Sequence, residues 1–189
     1  MAFSDLFPMA ARHRDRAEWT WPALLVAAAL LSSFTFACVT PFAAFAVLTA
    51  ATMGLPRALA MMVVVWLINQ VLGFTALGYP LDGATLAWGG VIGIAAFGAT
   101  AAVAICLRAV PTWSLRFRAV AGFVAAFVVY QAVLLSATAV LGGMQNFGAD
   151  IVAKLVLSDA CWLIGIAILR HGLLLLGAIS GPNRLAMRT

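Results

Sequence analysis

The polar residues that could do chemistry in this chain are few, and most of them lie inside long apolar runs. Asp159 lies in the last such run, Asn69-Gln70 in an earlier one and Tyr130-Gln131 in a third. A carboxylate or amide in such a run marks either a binding function or a hydrogen bond between helices. We assign Asp159 to interior polar support, without a chemical role. Three helices that each carry such a group suggest a polar interior or a pocket.

Signatures of enzymatic chemistry are missing from the sequence. It has two isolated histidines, His13 and His171, and no HExxH, GxSxG or Walker lysine. The three cysteines, Cys38, Cys106 and Cys161, form no CxxC pair and are typical of buried small hydrophobic side chains. We predict a protein that is not an enzyme and holds no permanent cofactor. A membrane enzyme acting on lipids would need clustered His, Asp or Glu at one interface.

The composition predicts an all-α integral membrane protein. Apolar residues make up 65% of the 189 residues and charged residues 9%, against about 25% charged residues in soluble domains. Backbone polar groups in lipid must pair internally, so only helices and closed barrels cross a membrane. Long unbroken apolar runs favour helices, because barrel strands alternate apolar and polar residues. The basic residues stand in short clusters between these runs, which is typical of membrane topology and gives no indication of nucleic-acid binding.

Six predicted spans divide the chain into an arm at residues 1–18, a transmembrane domain at 19–180 and a tail at 181–189. The spans run from about Trp21 to Ala37, Phe42 to Met53, Ala58 to Leu77, Ala84 to Leu107, Ala119 to Leu141, and Ile151 to Arg170 or beyond. The second run is short, since a crossing helix needs about 20 residues. A re-entrant or interfacial segment is the alternative for that run.

The basic residues predict that both termini are cytoplasmic. With six alternating spans, one side of the membrane holds Arg12, Arg14, Arg16, Arg57, Arg108, Arg116, Arg118, Arg170, Arg184 and Arg188, and the other side holds only Lys154. Loops rich in arginine stay in the cytoplasm. This distribution supports the second run as a crossing. We expect a multi-pass protein of the bacterial inner membrane.

The sequence resembles the substrate-binding S-components of energy-coupling-factor vitamin transporters, and most of all the BtuM-like cobalamin group. The similar features are a proline-broken first helix pair at Thr40-Pro41, the turn at residues 54–58, Trp66 to Phe74 with Asn69-Gln70 and Gly73, the Tyr79-Pro80 loop and Trp88-Gly89-Gly90. The match covers about residues 20–100 in pattern, and the whole chain in size and six-helix topology.

The resemblance implies a ligand pocket on the external side and uptake without an ATP site in this chain. It implies a membrane coupling subunit with ATPases as partners, and it gives Ala23-x-x-x-Ala27 a role in docking that subunit. Some cobalamin-type members are thought to work alone. Trp66, Gln70 and Gly73 share one helix face. This face and the resemblance together lead us to predict the following ligand-binding residues: Trp66, Asn69, Gln70, Tyr79, Trp88, Gln145 and Asn146.

One departure concerns cobalt. The cobalamin-type members are associated with a cysteine that ligates the metal, and the loop between the third and fourth predicted spans holds Tyr79 and Asp82 but no cysteine. Cys38, at the outer end of the first span, is the external substitute and our candidate cobalt ligand, since thiolates bind soft and borderline metals. We therefore expect uptake of a vitamin, with cobalamin first. The alternative is a non-transporting structural or assembly subunit of a larger membrane complex.

Overall fold

The computed structural model describes residues 8–35 and 40–179, and the side chains of residues 19–33, 40–145 and 147–179. Within these ranges all regular secondary structure is helical, which confirms the predicted all-α class. The described residues form a short 3₁₀ helix at Met144–Phe147 and six α-helices, which follow the chain as α1 (Pro8–Thr35), α2 (Phe42–Thr52), α3 (Leu55–Thr75), α4 (Gly83–Ala109), α5 (Leu115–Leu141) and α6 (Ala149–Leu175).

Four of the described helices, α3 to α6, are long and apolar enough to cross a membrane. Each begins and ends within a few residues of its predicted span, because glycine, proline or arginine interrupts the apolar run there. Of α1 the described side chains cover the apolar stretch Trp19–Ser33, and the whole of α2 is shorter than a span. A multi-pass membrane protein follows from the four long helices.

The shortest helix, α2, lies at the centre of the bundle and packs against α3, α4, α5 and α6. Every residue from Phe42 to Thr49 is buried. Eleven residues give a helix of about 16 Å, roughly half of the 30 Å hydrocarbon core. Alanines at 43, 44 and 46 let the neighbouring helices approach the α2 backbone closely.

The N-terminus of α2 is capped by a side chain from the other end of the sequence. Pro41 precedes the helix and provides no side-chain cap. Instead the buried carboxylate of Asp159 on α6 accepts a hydrogen bond of 3.0 Å from the Ala44 amide. The first amides of a helix lack partners within the helix, so Asp159 supplies the missing acceptor. This geometry agrees with the interior support that we assigned to this residue.

The helix α1 packs against α3 and runs antiparallel to α2, to which side-chain hydrogen bonds join it at both ends. The Trp21 indole Nε1 donates to Thr52 Oγ1 (2.9 Å) at one end, and the Ser33 and Thr40 hydroxyls share a 2.9 Å hydrogen bond at the other. The Arg170 guanidinium of α6 lies over the Trp21 ring, 5.3 Å from its centroid. The end of α2 and the C-terminal part of α6 therefore meet at Trp21. We call this the basic end of the bundle, since the helix ends there carry Arg57, Arg108, Arg116, Arg118 and Arg170.

Candidate ligand-binding site

The site begins where α3 ends, opposite the basic end. Gly78 has a φ of 67°, in the left-handed region where glycine is favoured. The backbone then folds back, so that the Leu77 amide donates to the Leu72 carbonyl and the Tyr79 amide to the Gly73 carbonyl, both at 3.0 Å. Such bonds satisfy the last carbonyls of a helix. They also hold Tyr79 above the last turns of α3.

Asp82 then starts α4 and fixes the second wall of the site. Its carboxylate accepts a hydrogen bond of 2.7 Å from the Thr85 amide, which is the arrangement of a helix N-cap. The bond from the Thr85 backbone, followed by one from the Thr85 side chain, lowers the pKa of Asp82 below its ordinary value of 3.8. Asp82 is exposed and lies outside the apolar part of the chain.

This cap predicts a pH-dependent stability. Because the pKa of Asp82 is lower in the folded protein, its stabilising contribution is present above pH 3.8 and is lost as the pH falls through the folded value. We expect Asp82→Ala to be less stable than wild type at pH 7, with the difference shrinking towards pH 3. Unfolding in mixed detergent micelles at both pH values measures it. An equal difference at pH 3 would mean that the charge of Asp82 is not the source of the effect.

Between these two elements lies a cavity of about 170 Å³. Its walls come from the end of α3, the loop after it and the first turns of α4, and every lining residue is uncharged: Asn69, Gln70, Gly73, Phe74, Tyr79, Thr85, Trp88, Gly89 and Ile92. Three aromatic rings and two amides therefore share one small space. Pockets that combine apolar walls with a few polar groups are the usual form of a small-molecule site.

The two amides are held by a chain of hydrogen bonds that leads into the bundle. Gln70 Nε2 donates to Asn69 Oδ1 at 3.2 Å, and the buried Asn69 donates through Nδ2 to Thr40 Oγ1 at 2.9 Å. Thr40 in turn shares its hydroxyl with Ser33 on α1. The cavity wall is thus connected to the start of α2 and to α1. Buried polar chains of this kind fix side-chain orientation when their members are paired.

Glycines on α4 allow α3 to approach closely below the cavity. A Cβ at Gly89 would collide with Gln70 Oε1, and one at Gly93 would lie 3.0 Å from Trp66 Nε1. Trp66 uses this room to donate from its indole Nε1 to the Gly89 carbonyl at 2.9 Å, and its ring meets Phe97 edge-on. Trp66 therefore locks α3 to α4 one turn below Gln70, beneath the cavity.

The structure brings four of the seven predicted ligand-binding residues to the cavity wall: Asn69, Gln70, Tyr79 and Trp88. Trp66 supports the wall from below. Gln145 is exposed in the 3₁₀ helix, which contacts α5 and α6, and it does not line the cavity. The side chain of Asn146 and all of Cys38 lie outside the described residues. Among the described residues no group of three or more His, Cys, Asp or Glu side chains could hold a metal ion.

Thr85, Phe74 and Ile92 also line the cavity, and the sequence interpretation did not include them. Thr85 and Ile92 stand three or four residues from Trp88 and Gly89, so they fall on the same helix face. That spacing was available in the sequence. The sequence did not indicate that Thr40 supports the cavity wall, because its hydrogen bond to Asn69 joins residues 29 positions apart.

Comparison with known proteins found no family model, no curated protein and no solved structure that matches this chain.

Proposed function

We propose that this protein binds a small uncharged ring compound of the vitamin type in the cavity between α3 and α4, and that it serves uptake across the membrane. The observation that carries the proposal is the cavity itself. Four residues predicted from the sequence surround it, together with Gly73, Phe74, Thr85, Gly89 and Ile92. The wall is connected to the start of α2 through Asn69 and Thr40, while Gln70, Tyr79 and Trp88 line the cavity itself.

The cavity wall indicates the chemistry of the ligand. Phe74, Tyr79 and Trp88 offer aromatic surface to a planar ring, and Gln70 and Thr85 offer hydrogen bonds to its edge. No charged side chain lines the wall, so a charged ligand would lose its hydration without gaining a partner. The wall therefore suits a neutral ring with an amide or carbonyl at its edge.

The volume argues against a corrinoid in this closed form. Pockets for drug-sized molecules measure about 300–1,000 Å³, the cavity here is near 170 Å³, and a corrinoid is larger than a drug. Cobalamin would require α4 and the Tyr79 loop to move away from α3. Our expectation of cobalamin stays a prediction, and it forms one arm of the experiment below.

We infer a topology of six helices with both termini in the cytoplasm of a bacterium, and a cavity on the periplasmic side of its inner membrane. The antiparallel pairing of α1 with α2 supports this, because it returns the chain to the basic end before α3 begins. The chain comes back to the basic end whether α1 and α2 cross the bilayer completely or turn within it. The arginines at the basic end then face the cytoplasm.

Uptake against a concentration gradient needs a source of energy, and this sequence carries no ATP-binding motif that would supply it. The resemblance suggests a coupling subunit with ATPases. Ala23 and Ala27 support this suggestion, because both are exposed on one face of α1 and small residues allow close helix contact. The alternative, an assembly subunit without a ligand, rests on the exposed apolar faces of α5 and α6, for which lipid contact also accounts.

Equilibrium dialysis of the detergent-purified protein tests the proposal. The probes are radiolabelled nicotinamide as a small neutral ring amide, nicotinate as its charged counterpart, and cyanocobalamin. We expect nicotinamide-type binding that exceeds nicotinate binding and is lost in Gln70→Leu. Gln131→Leu, a half-buried glutamine on α5 away from the cavity, should bind as wild type does.

The outcomes separate the candidates. Cyanocobalamin binding that depends on Gln70 would support the vitamin function and show that the cavity opens. Equal binding of nicotinate and nicotinamide would contradict the neutral-ligand assignment. Binding of none of the three, together with a stable crosslinked membrane partner, would favour the assembly subunit.

A further inference from the structure

A second concave surface lies on α5, away from the cavity. It is a shallow apolar groove of about 510 Å³, formed by Trp113 and by Phe117, Val120, Val124, Ala125 and Val128 along α5. Its ridge is well exposed: Phe117, Val120, Val124 and Val128 keep between 53% and 67% of their surface accessible. Since α5 is long and apolar enough to span the membrane, this surface faces the bilayer.

The groove starts at the basic end of the bundle, beside two arginines. Arg116 is exposed and precedes Val120 by one turn, and Arg118 precedes Ala121 and Ala125 on the other edge. Arg118 Nη2 donates to the Leu107 carbonyl at 3.4 Å, while its Nε is buried with no hydrogen-bond partner in the described residues. One end of an apolar groove therefore carries two cationic groups, of which Arg116 is exposed and Arg118 is held against the end of α4.

Among the residues whose side chains the structure describes, no acidic residue lies at the basic end of the bundle to neutralise these arginines. The sequence contains none between Asp82 and Asp150, and those two stand at the starts of α4 and α6, at the opposite end of the bundle. Arg108, in the last turn of α4, adds a third positive charge at the basic end. An occupant with an apolar body and an anionic end would be complementary to this groove.

We propose that the groove binds an anionic phospholipid, with an acyl chain along Val120, Val124 and Val128 and the phosphate on Arg116 and Arg118. Basic pockets beside membrane helices recognise anionic head groups in this way, and Trp113 stands where an interfacial tryptophan is expected. A second copy of the chain does not fit, because a twofold contact on this face would bring its arginines together. The proposal does not depend on the ligand of the α3–α4 cavity.

Native mass spectrometry of the intact protein in a neutral detergent tests the proposal by titration with phosphatidylglycerol and with phosphatidylcholine of the same acyl chains. Each arginine near the phosphate contributes about 1 kcal/mol, so each removal corresponds to about a fivefold change in affinity. We expect phosphatidylglycerol to bind more tightly than phosphatidylcholine. The preference should fall about fivefold in Arg116→Gln and about 30-fold in Arg116→Gln with Arg118→Gln.

The control variant is Arg57→Gln, an exposed arginine at the basic end but on α3. It should keep the full preference for phosphatidylglycerol. Val124→Trp, which fills the exposed groove, should weaken both lipids and thereby separates groove binding from a purely electrostatic contact. Equal affinities for the two lipids, an unchanged preference in exposed Arg116→Gln, unchanged binding in Val124→Trp, or a dimer without bound lipid would each overturn the proposal.

Discussion

Replacing Asp159 by alanine should lower the free energy of unfolding by about 2 kcal/mol. The carboxylate accepts a hydrogen bond from the Ala44 amide at the first turn of α2, where both groups are buried. Without it, the amide stays in an apolar interior with no acceptor and no access to water. Equilibrium unfolding in mixed micelles of a mild detergent and dodecyl sulfate measures the difference.

The neighbouring serine provides a matched control for Asp159. Ser158 Oγ is buried without a hydrogen-bond partner in the described residues, so Ser158→Ala should change stability little. Asp159→Asn retains an oxygen that can accept from Ala44, and we expect a loss between those of the other two variants. If Asp159→Ala were as stable as Ser158→Ala, the hydrogen bond from Ala44 to Asp159 would contribute nothing to the free energy of unfolding.

Gly89→Ala should impair ligand binding while leaving the protein folded. The new methyl group would collide with Gln70 Oε1, so the amide of the glutamine would have to move from its place on the cavity wall. Because the end of a flexible side chain can move at low cost, we expect little loss of stability. Loss of the Gln70 hydrogen bond to a ligand lowers affinity by about tenfold, measured by dialysis with nicotinamide.

Gly90 is the natural comparison, since it is adjacent on α4 and exposed, and a Cβ there would meet nothing within 4 Å. Gly90→Ala should leave binding unchanged and stabilise the helix by about 0.5–1 kcal/mol. A second measurement needs no ligand: the side-chain amide signal of Gln70 in a nitrogen-15 NMR spectrum, assigned by its loss in Gln70→Leu, should shift in Gly89→Ala only. An unshifted signal in Gly89→Ala would contradict the packing of Gly89 against Gln70.

The sequence was most informative where the physics is local. Apolar runs interrupted by glycine, proline or arginine predicted α3 to α6 within a few residues, because lipid requires a continuous helix. It was less informative for α1, which starts at Pro8, before the first predicted span at Trp21. Hydropathy marks where an apolar run begins, and it does not show how far a helix continues into the polar segment before that run.

The candidate site was predictable in part for the same reason. Gln70, Tyr79 and Trp88 come together because one short loop joins α3 to α4, which makes these helices antiparallel neighbours. Gln145 was grouped with them because it also follows a span, yet it belongs to the 3₁₀ helix that contacts α5 and α6. Hydropathy assigns residues to an end of the bundle but does not order the helices around it.

The link between Asp159 and Ala44 also bears on how the chain enters the membrane during synthesis. The two residues are 115 positions apart, so α2 leaves the ribosome long before α6 exists. An α2 of half the bilayer thickness has little capacity to insert alone, and its Ala44 amide lacks the Asp159 acceptor until the last helix arrives. The centre of the bundle is therefore completed last, and a chain that stops before α6 would leave α2 as a substrate for membrane quality-control proteases.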